Sequence, residues 1–194
     1  MHHFFRAILL FFAAMALPSV LADDILFFSS LTACNRNTDW VYCSDVGPEH
    51  CCHAKSPFCG RISCNYCEGD TLAVFRGQST CPGLSKADST CTPTSGLYCC
   101  MDAGRGSVCA GAYYDSTSKR RSEYLGLSDP PSNSTCRTPD GMVYHDPAGV
   151  RREIKNMTTE MYENAMDLYG RGDLGALNGT VLNDKDAFGA TDKA

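Results

Sequence analysis

Cysteine distribution constrains the fold of this chain more than any other feature of its sequence. Twelve of the 13 cysteines lie within the 76 residues from Cys34 to Cys109. That stretch holds only ten residues of Leu, Ile, Val or Phe, too few for an ordinary hydrophobic core. Each disulfide contributes about 2–4 kcal/mol, mainly by restricting the unfolded chain. We therefore predict a small disulfide-rich fold, mostly irregular with short β-strands, in which sulfur pairs replace much of the apolar interior.

The cysteines also form an internal repeat. Five positions return after 47 to 50 residues, and each set contains an adjacent Cys-Cys pair. The first set is Cys34, Cys43, Cys51, Cys52 and Cys59, and the second is Cys81, Cys91, Cys99, Cys100 and Cys109. A nearly fixed period of this length is typical of repeated structural units. We predict two tandem modules, residues 34–67 and 81–109, the second of which Cys136 can close.

The total of 13 cysteines is odd. If each module uses six, the sulfur left over is Cys64, Cys67 or Cys136, and the sequence leaves these alternatives open. An odd thiol in an exported chain suggests either pairing between molecules or a reactive site. On the first alternative, we expect that this chain can form a covalent dimer.

The N-terminus has the pattern of a signal peptide, residues 1–22. A basic residue, Arg6, precedes an apolar run from Ala7 to Leu17, and small residues lead to a cleavage point after Ala22. The run is shorter than the roughly 20 residues of a spanning helix, which predicts export without a membrane span. The extracellular space is also a compartment in which disulfides persist.

Charge and sequons fit a protein that works outside the cell. The formal net charge of −5 makes nucleic acid an unfavourable partner. The expected partner is instead an extracellular carbohydrate or protein. Sequons at Asn133, Asn156 and Asn178 predict a glycosylated exterior.

Outside the two modules, composition predicts the remaining organisation. An alternating run from Thr71 to Phe75 predicts a short strand between the modules. Residues 110–145 are rich in Ser, Thr and Pro, which is typical of a linker. Residues 146–170 form the predicted helical segment, and residues 171–194 are predicted to be a flexible tail.

The helical segment has two predicted pieces. Its first turns run from Pro147 to Lys155, with Asp146 as the cap. Its main helix begins after Thr158 as the N-cap, has Glu160 in the first turn, and ends at a glycine. The residues at helical spacing are Met161, Ala165, Leu168 and Tyr169, and the terminating glycine is Gly170.

The cysteine order of single, single, adjacent pair, single, single resembles the cystine-knot and hevein-like scaffolds. Those scaffolds pair the first cysteine with the fourth, the second with the fifth, and the third with the sixth. The resemblance implies Cys34–Cys52, Cys43–Cys59 and Cys51 with Cys64 or Cys67, and then Cys81–Cys100, Cys91–Cys109 and Cys99–Cys136. Six cysteines allow fifteen connectivities, so this pairing is a hypothesis.

The first module is similar to a hevein-type chitin-binding module, since Phe58 precedes Cys59 and Gly60 follows it. Such modules stack sugar rings on exposed aromatic side chains. The resemblance therefore implies ligand binding by Trp40, Phe58 and Tyr66. The alternative is that these rings pack inside the fold, because apolar side chains are scarce.

Two further resemblances concern other parts of the chain. The eight cysteines Cys43, Cys51, Cys52, Cys81, Cys91, Cys99, Cys100 and Cys109 have an order similar to that of a hydrophobin surface protein. Residues 150–169, VRREIKNMT followed by a helix, resemble the N-terminal segment of the tyrosinase and haemocyanin central domain. This implies the truncated or N-terminal portion of a copper oxidase. The copper ligands of that family are histidines further downstream, and this chain has none after His145.

Residues with ligand chemistry for zinc occur at His50 to His53 and at Cys64 and Cys67. Adjacent ligands fit tetrahedral geometry poorly, and disulfide formation competes for the thiols outside the cell. Redox catalysis by the C-x-x-C pair would need a helix that begins there, and none is predicted. We expect a binding or effector-like protein without catalytic residues, metal or cofactor.

Overall fold

The structure is a computed structural model, which describes residues 23–35, 37–47, 50–65, 67, 69–93, 99–114 and 136–182. The described strands and helix follow in chain order. They are β1 (Asp23–Phe28), β2 (Trp40–Val46), β3 (Cys51–Lys55), β4 (Arg61–Asn65), β5 (Thr71–Arg76), β6 (Ser89–Cys91), β7 (Cys100–Asp102), β8 (Val108–Tyr114), β9 (Gly141–His145), β10 (Arg151–Ile154), α1 (Thr159–Arg171) and β11 (Thr180–Val181). The predicted signal peptide lies outside the described residues.

The strands form two antiparallel sheets within the described parts of the chain. The first sheet has the order β11-β10-β9-β2-β1-β4-β7, and the second has the order β3-β8-β5-β6. The predicted disulfide-rich fold with short β-strands and a short C-terminal helical segment is confirmed, and its strands are organised in two sheets instead of being mostly irregular. The run from Thr71 to Phe75 forms β5, as its alternation predicts.

Strand β1 is an interior strand of the first sheet because both of its faces are apolar. Ile25 and Phe27 face the main core, while Leu26 and Phe28 face a smaller cluster with Trp40. It pairs with β2 on one side and β4 on the other. The residues directly after the predicted cleavage point therefore supply a central strand.

The two sheets approach each other where β8 crosses β4 and β1. A Cβ atom at Gly111 of β8 would lie 2.4 Å from Ile62 Cδ1 and 3.3 Å from Ile25 Cγ2. Any larger residue at this position would force the sheets apart. The close packing at Gly111 is where the second sheet covers the first.

The two cysteine repeats are not separate modules. Strand β3 of the first repeat pairs with β8 of the second, and β4 pairs with β7. One core cluster includes residues from Ile25 to Leu177. The prediction of tandem modules is therefore wrong, because neither repeat holds enough apolar side chains to bury a core alone. The interior instead also draws on β1, β9 and α1, so it is less dependent on sulfur than predicted.

The disulfide pairs follow the interleaved strands and correct the pairing that the scaffold resemblance implied. Two bridges join the repeats, Cys34–Cys100 and Cys59–Cys109. Three are local: Cys43–Cys52, Cys64–Cys67 and Cys91–Cys99. The remaining cysteines, Cys51, Cys81 and Cys136, lie together.

The predicted linker and tail are shorter than their composition indicated. Residues 110–114 complete the buried strand β8, and residues 141–145 form β9 beside β2. Residues 115–135 lie outside the described residues. After α1, Leu177 is buried and β11 pairs with β10, so residues 171–182 pack on the fold.

Residues Pro147 to Lys155 form a turn and a strand instead of helical turns. The Asp146 carboxylate accepts hydrogen bonds from the backbone N–H groups of Ala148 and Val150, which closes the turn. Strand β10 then pairs with β9. An Asp-Pro pair is compatible with a turn as well as with a helix start. Here the chain forms a turn because residues 151–154 then pair with the edge of β9.

Helix α1 begins as predicted and ends later. Thr158 is the N-cap and its side chain accepts a hydrogen bond from the Met161 backbone N–H at 3.2 Å. The helix continues through Gly170 and ends at Gly172, whose φ of 77° is left-handed. Its buried residues are Tyr162, Ala165 and Met166, and Leu168 and Tyr169 pack against the core. Of the four residues predicted at helical spacing, only Met161 is exposed, at 46%.

We expect that Tyr162→Phe lowers the free energy of unfolding by about 1–3 kcal/mol. The buried Tyr162 hydroxyl accepts a hydrogen bond from the Lys55 backbone N–H at 3.1 Å, and phenylalanine leaves that donor unpaired. Urea denaturation measures the change. Met161→Ala on the exposed side of α1 is the matched control, and an equal loss in both variants would contradict the role of the hydroxyl.

Peptide mapping of the oxidised chain without reduction is expected to link Cys34 to Cys100 and Cys59 to Cys109. These bridges follow from strand pairing between the repeats. A reduced and alkylated sample is the control. Recovery of Cys34 joined to Cys52 would instead support independent modules.

Candidate functional site

A groove of about 850 Å³ opens between β3, α1 and the segment that precedes β9. Small-molecule sites commonly measure about 300–1,000 Å³. Its described lining consists of His53, Lys55, Ser79, Val108, Cys136, Arg137, Thr138, Asp140, Met157, Thr158, Thr159 and Glu163. The groove is therefore built by residues far apart in the sequence.

Alternation along β3 supplies one wall of the groove. Successive side chains of a strand point to opposite faces, so Cys52 and Ala54 enter the core while His53 and Lys55 face the groove. Arg137 lies alongside this edge strand: its backbone N–H donates to the Cys51 carbonyl, and its carbonyl accepts from the His53 N–H. The chain that precedes β9 thus covers the edge of the second sheet.

Charged side chains of the groove occur as two ion pairs. Lys55 of β3 pairs with Glu163 of α1, and Arg137 pairs with Asp140. Asp140 also accepts hydrogen bonds from the backbone N–H and the hydroxyl of Ser44 at 2.8 and 2.9 Å. Each cation in the described lining has an acidic partner, so the groove carries little net charge.

His53 is the titratable side chain of the groove without an acidic partner among the described residues. Its Nδ1 is buried and makes no hydrogen bond within the described parts of the chain. Burial lowers the pKa of His53, and the charge of Lys55 acts in the same direction against smaller opposing effects of Glu163 and a hydrogen bond at Cys136. This lowered pKa favours the neutral form of the imidazole at pH 7.

Tyr162 connects the wall of the groove to the core. Burial raises the pKa of Tyr162 to about 12, so its hydroxyl stays protonated while it accepts the hydrogen bond from Lys55. This contact, together with the ion pair between Lys55 and Glu163, holds α1 against β3. The groove is therefore preformed.

Three cysteines lie together at one end of the groove. The Sγ atoms of Cys51, Cys81 and Cys136 all lie within 4.8 Å of one another. Cys51 and Cys81 are buried in a small apolar cluster on the second sheet, and Cys136 is half-buried and lines the groove. We call this group the cysteine trio.

The structure does not present the predicted aromatic side chains as an open platform. Trp40 is 3% exposed and contacts Phe28, and Phe58 is 0% exposed with its ring centroid 4.9 Å from that of Tyr169. The expectation of surface rings is corrected for these two, because a chain with few apolar residues buries its large rings. The third candidate, Tyr66, lies outside the described residues.

The histidine and cysteine cluster from His50 to His53 is divided by the fold. Cys52 pairs with Cys43 in the core, whereas Cys51 joins the cysteine trio on the opposite face of β3. Sequence reasoning assigned Cys136 to Cys99 and missed the trio. The odd cysteine total was the available signal, but it could not show which three sulfurs meet.

The described sequons lie at the surface. Asn156 and Asn178 are exposed, and Asn156 is two residues before the helix cap Thr158 at the groove. Asn133 lies outside the described residues. Glycosylation at these positions stays a prediction.

Comparison with family models, curated proteins and solved structures finds no match for this chain. The described residues contain no helix that is long and apolar enough to cross a bilayer. The resemblances to hevein-like scaffolds, to hydrophobins and, for residues 150–169, to the tyrosinase domain stay predictions.

We expect that acidification from pH 7 to pH 5 destabilises the wild type more than His53→Gln. The folded-state pKa of His53 lies below its usual value of 6.5, so the unfolded chain binds this proton more readily than the folded chain. The stability that the neutral imidazole supports is therefore lost as the pH falls through this window. Thermal denaturation at both pH values measures the difference, with His50→Gln at the surface as the control. An unchanged pH dependence in His53→Gln would contradict the assignment.

Proposed function

We propose that this chain is an extracellular, disulfide-stabilised binding protein whose groove holds a neutral, hydroxyl- and amide-bearing ligand. Chitin-type oligosaccharides are the first candidate. The observation that carries the proposal is the pairing of Lys55 with Glu163 and of Arg137 with Asp140 across a polar groove. The disulfide-rich fold supports the extracellular location, since such bonds persist in oxidising compartments.

The groove has the donors and acceptors that a neutral sugar needs. Four hydroxyl side chains line it: Ser79, Thr138, Thr158 and Thr159. A hydroxyl both donates and accepts, and carboxylates such as that of Glu163 accept from sugar hydroxyl groups. A strongly charged ligand would have to separate existing ion pairs, which disfavours it.

The apolar part of the groove suits the methyl group of an N-acetyl substituent. Met157 and Val108 lie among the polar lining residues, and Met157 is 6% exposed. Apolar contacts beside a few placed polar groups are typical of small-molecule sites. N-acetylglucosamine combines both kinds of surface, which is why a chitin oligosaccharide is chosen as the probe.

The mode of binding differs from that of the hevein-type resemblance. The described lining contains no Phe, Tyr or Trp, so hydrogen bonds to the two ion pairs replace stacking on such rings. The walls are held in place by the bond from Lys55 to Tyr162, which limits the ordering cost of binding.

Titration of a chitin hexasaccharide into the oxidised protein tests this proposal by calorimetry. We expect saturable binding that Glu163→Gln weakens about tenfold or more, because a hydrogen bond to a charged acceptor contributes about 1.5–3 kcal/mol. Glu160→Gln on the same helix lies outside the groove and is the matched control.

Three results would contradict the proposal. Absence of saturable heat at millimolar oligosaccharide is one. Equal affinity in wild type and Glu163→Gln is another, since it would place binding elsewhere. Tighter binding of a polyanionic oligosaccharide would show that the groove selects charge.

A further inference from the structure

We propose that the cysteine trio is a thiol–disulfide exchange site. Cys51 pairs with either Cys81 or Cys136, and the third sulfur remains a thiol. This activity is separate from ligand binding in the groove, and it follows from cysteine counting and from the positions of three residues.

The count leaves one sulfur without a partner inside the chain. Ten of the 13 cysteines form five exclusive pairs: Cys34–Cys100, Cys43–Cys52, Cys59–Cys109, Cys64–Cys67 and Cys91–Cys99. Three cysteines remain, and each sulfur forms only one disulfide bond. One disulfide and one thiol therefore share the trio when the chain is fully oxidised.

The position of Cys51 permits both pairings. Its Cα lies 5.8 Å from that of Cys81 and 4.3 Å from that of Cys136, within or close to the usual disulfide range of about 4.4–6.8 Å. The Sγ atoms of Cys136 and Cys81 are 3.8 Å apart. The backbone therefore has no need to rearrange when the partner of Cys51 changes.

The exchange step is balanced without an external oxidant. The thiolate of Cys136 attacks Sγ of Cys51 in the Cys51–Cys81 disulfide. A bond forms between the sulfurs of Cys136 and Cys51, the bond from Cys51 to Cys81 breaks, and Cys81 leaves as a thiolate. Cys81 then takes up a proton equal to the one that Cys136 released, and the reverse step restores the first isomer.

The two isomers differ in where the thiol lies. Cys81 is 0% exposed, so pairing of Cys51 with Cys136 hides the thiol inside the fold. Pairing of Cys51 with Cys81 places the thiol at Cys136, which is half-buried in the wall of the groove. Thiol reactivity requires access, so only this second isomer can form a mixed disulfide with a small disulfide such as oxidised glutathione.

The backbone around Cys136 keeps its position in either isomer. The hydrogen bonds of Arg137 with the Cys51 carbonyl and the His53 N–H do not involve sulfur. Exchange therefore changes whether the thiol is accessible without changing the backbone at Cys136. The shape of the groove stays the same, and only the thiol reactivity at Cys136 changes.

Mass spectrometry of the native oxidised chain tests the exchange. We expect one thiol per monomer. Acid quenching followed by alkylation in denaturant should find that thiol divided between the peptides of Cys81 and Cys136. Maleimide added under native conditions should label Cys136 alone. Because exchange keeps regenerating the isomer with the Cys51–Cys81 disulfide, all of the protein should finally be labelled at Cys136.

Single variants separate exchange from a static pair. Cys136→Ser should leave a Cys51–Cys81 disulfide and no thiol, and Cys81→Ser should leave Cys51–Cys136 and no thiol. Both keep the five exclusive bridges, so both are expected to fold. Cys64→Ser is the matched control, because it removes the partner of Cys67. This variant should have two thiols, one at Cys67 and one still divided between Cys81 and Cys136.

Four results would overturn the proposal. They are a thiol confined to one residue at equilibrium, a thiol traced to a cysteine outside the trio, a covalent dimer that consumes the odd sulfur, and three alkylatable thiols after treatment with a chelator. The last would assign the trio to a thiophilic metal ion. None of these measurements uses an oligosaccharide, so they are decided independently of the groove ligand.

Discussion

The structure depends on one interior that both cysteine repeats share. Neither repeat has enough apolar side chains to exclude water alone, so their strands interleave and the Cys34–Cys100 and Cys59–Cys109 bridges cross between them. The strand directly after the predicted signal peptide completes this arrangement, because both of its faces are buried. Gly111 then allows the second sheet to approach the first. Disulfide bridges and the packing of the two sheets therefore stabilise the same interior.

The groove is a consequence of how α1 meets the edge of the second sheet. Lys55 contributes its backbone N–H to Tyr162 and its ammonium group to Glu163, so one residue links the core to the groove wall. The same packing half-buries His53 and leaves its buried Nδ1 without a hydrogen-bond partner among the described residues. A surface with paired charges and hydroxyl groups results, which is better suited to a neutral polar ligand than to an ion.

The odd sulfur has a defined location because strand pairing uses the other ten cysteines. Once these are paired, Cys51, Cys81 and Cys136 have only one another within reach. The chain separation between Cys51 and Cys136 is 85 residues, and no local spacing rule connects them. Within the trio, Cys51 and Cys81 are buried, whereas Cys136 is half-buried and lines the groove.

The sequence by itself determined the disulfide-rich character, the strand at Thr71 to Phe75 and the cap of α1 at Thr158, because these depend on residue type and near neighbours. It did not determine which cysteines pair, that Trp40 and Phe58 are buried, or that residues 151–154 extend a sheet. Those outcomes depend on which strands meet and on how much apolar surface each contact buries. Only the tertiary structure decided them, because a cysteine pattern constrains sulfur partners solely through the distances that the fold creates.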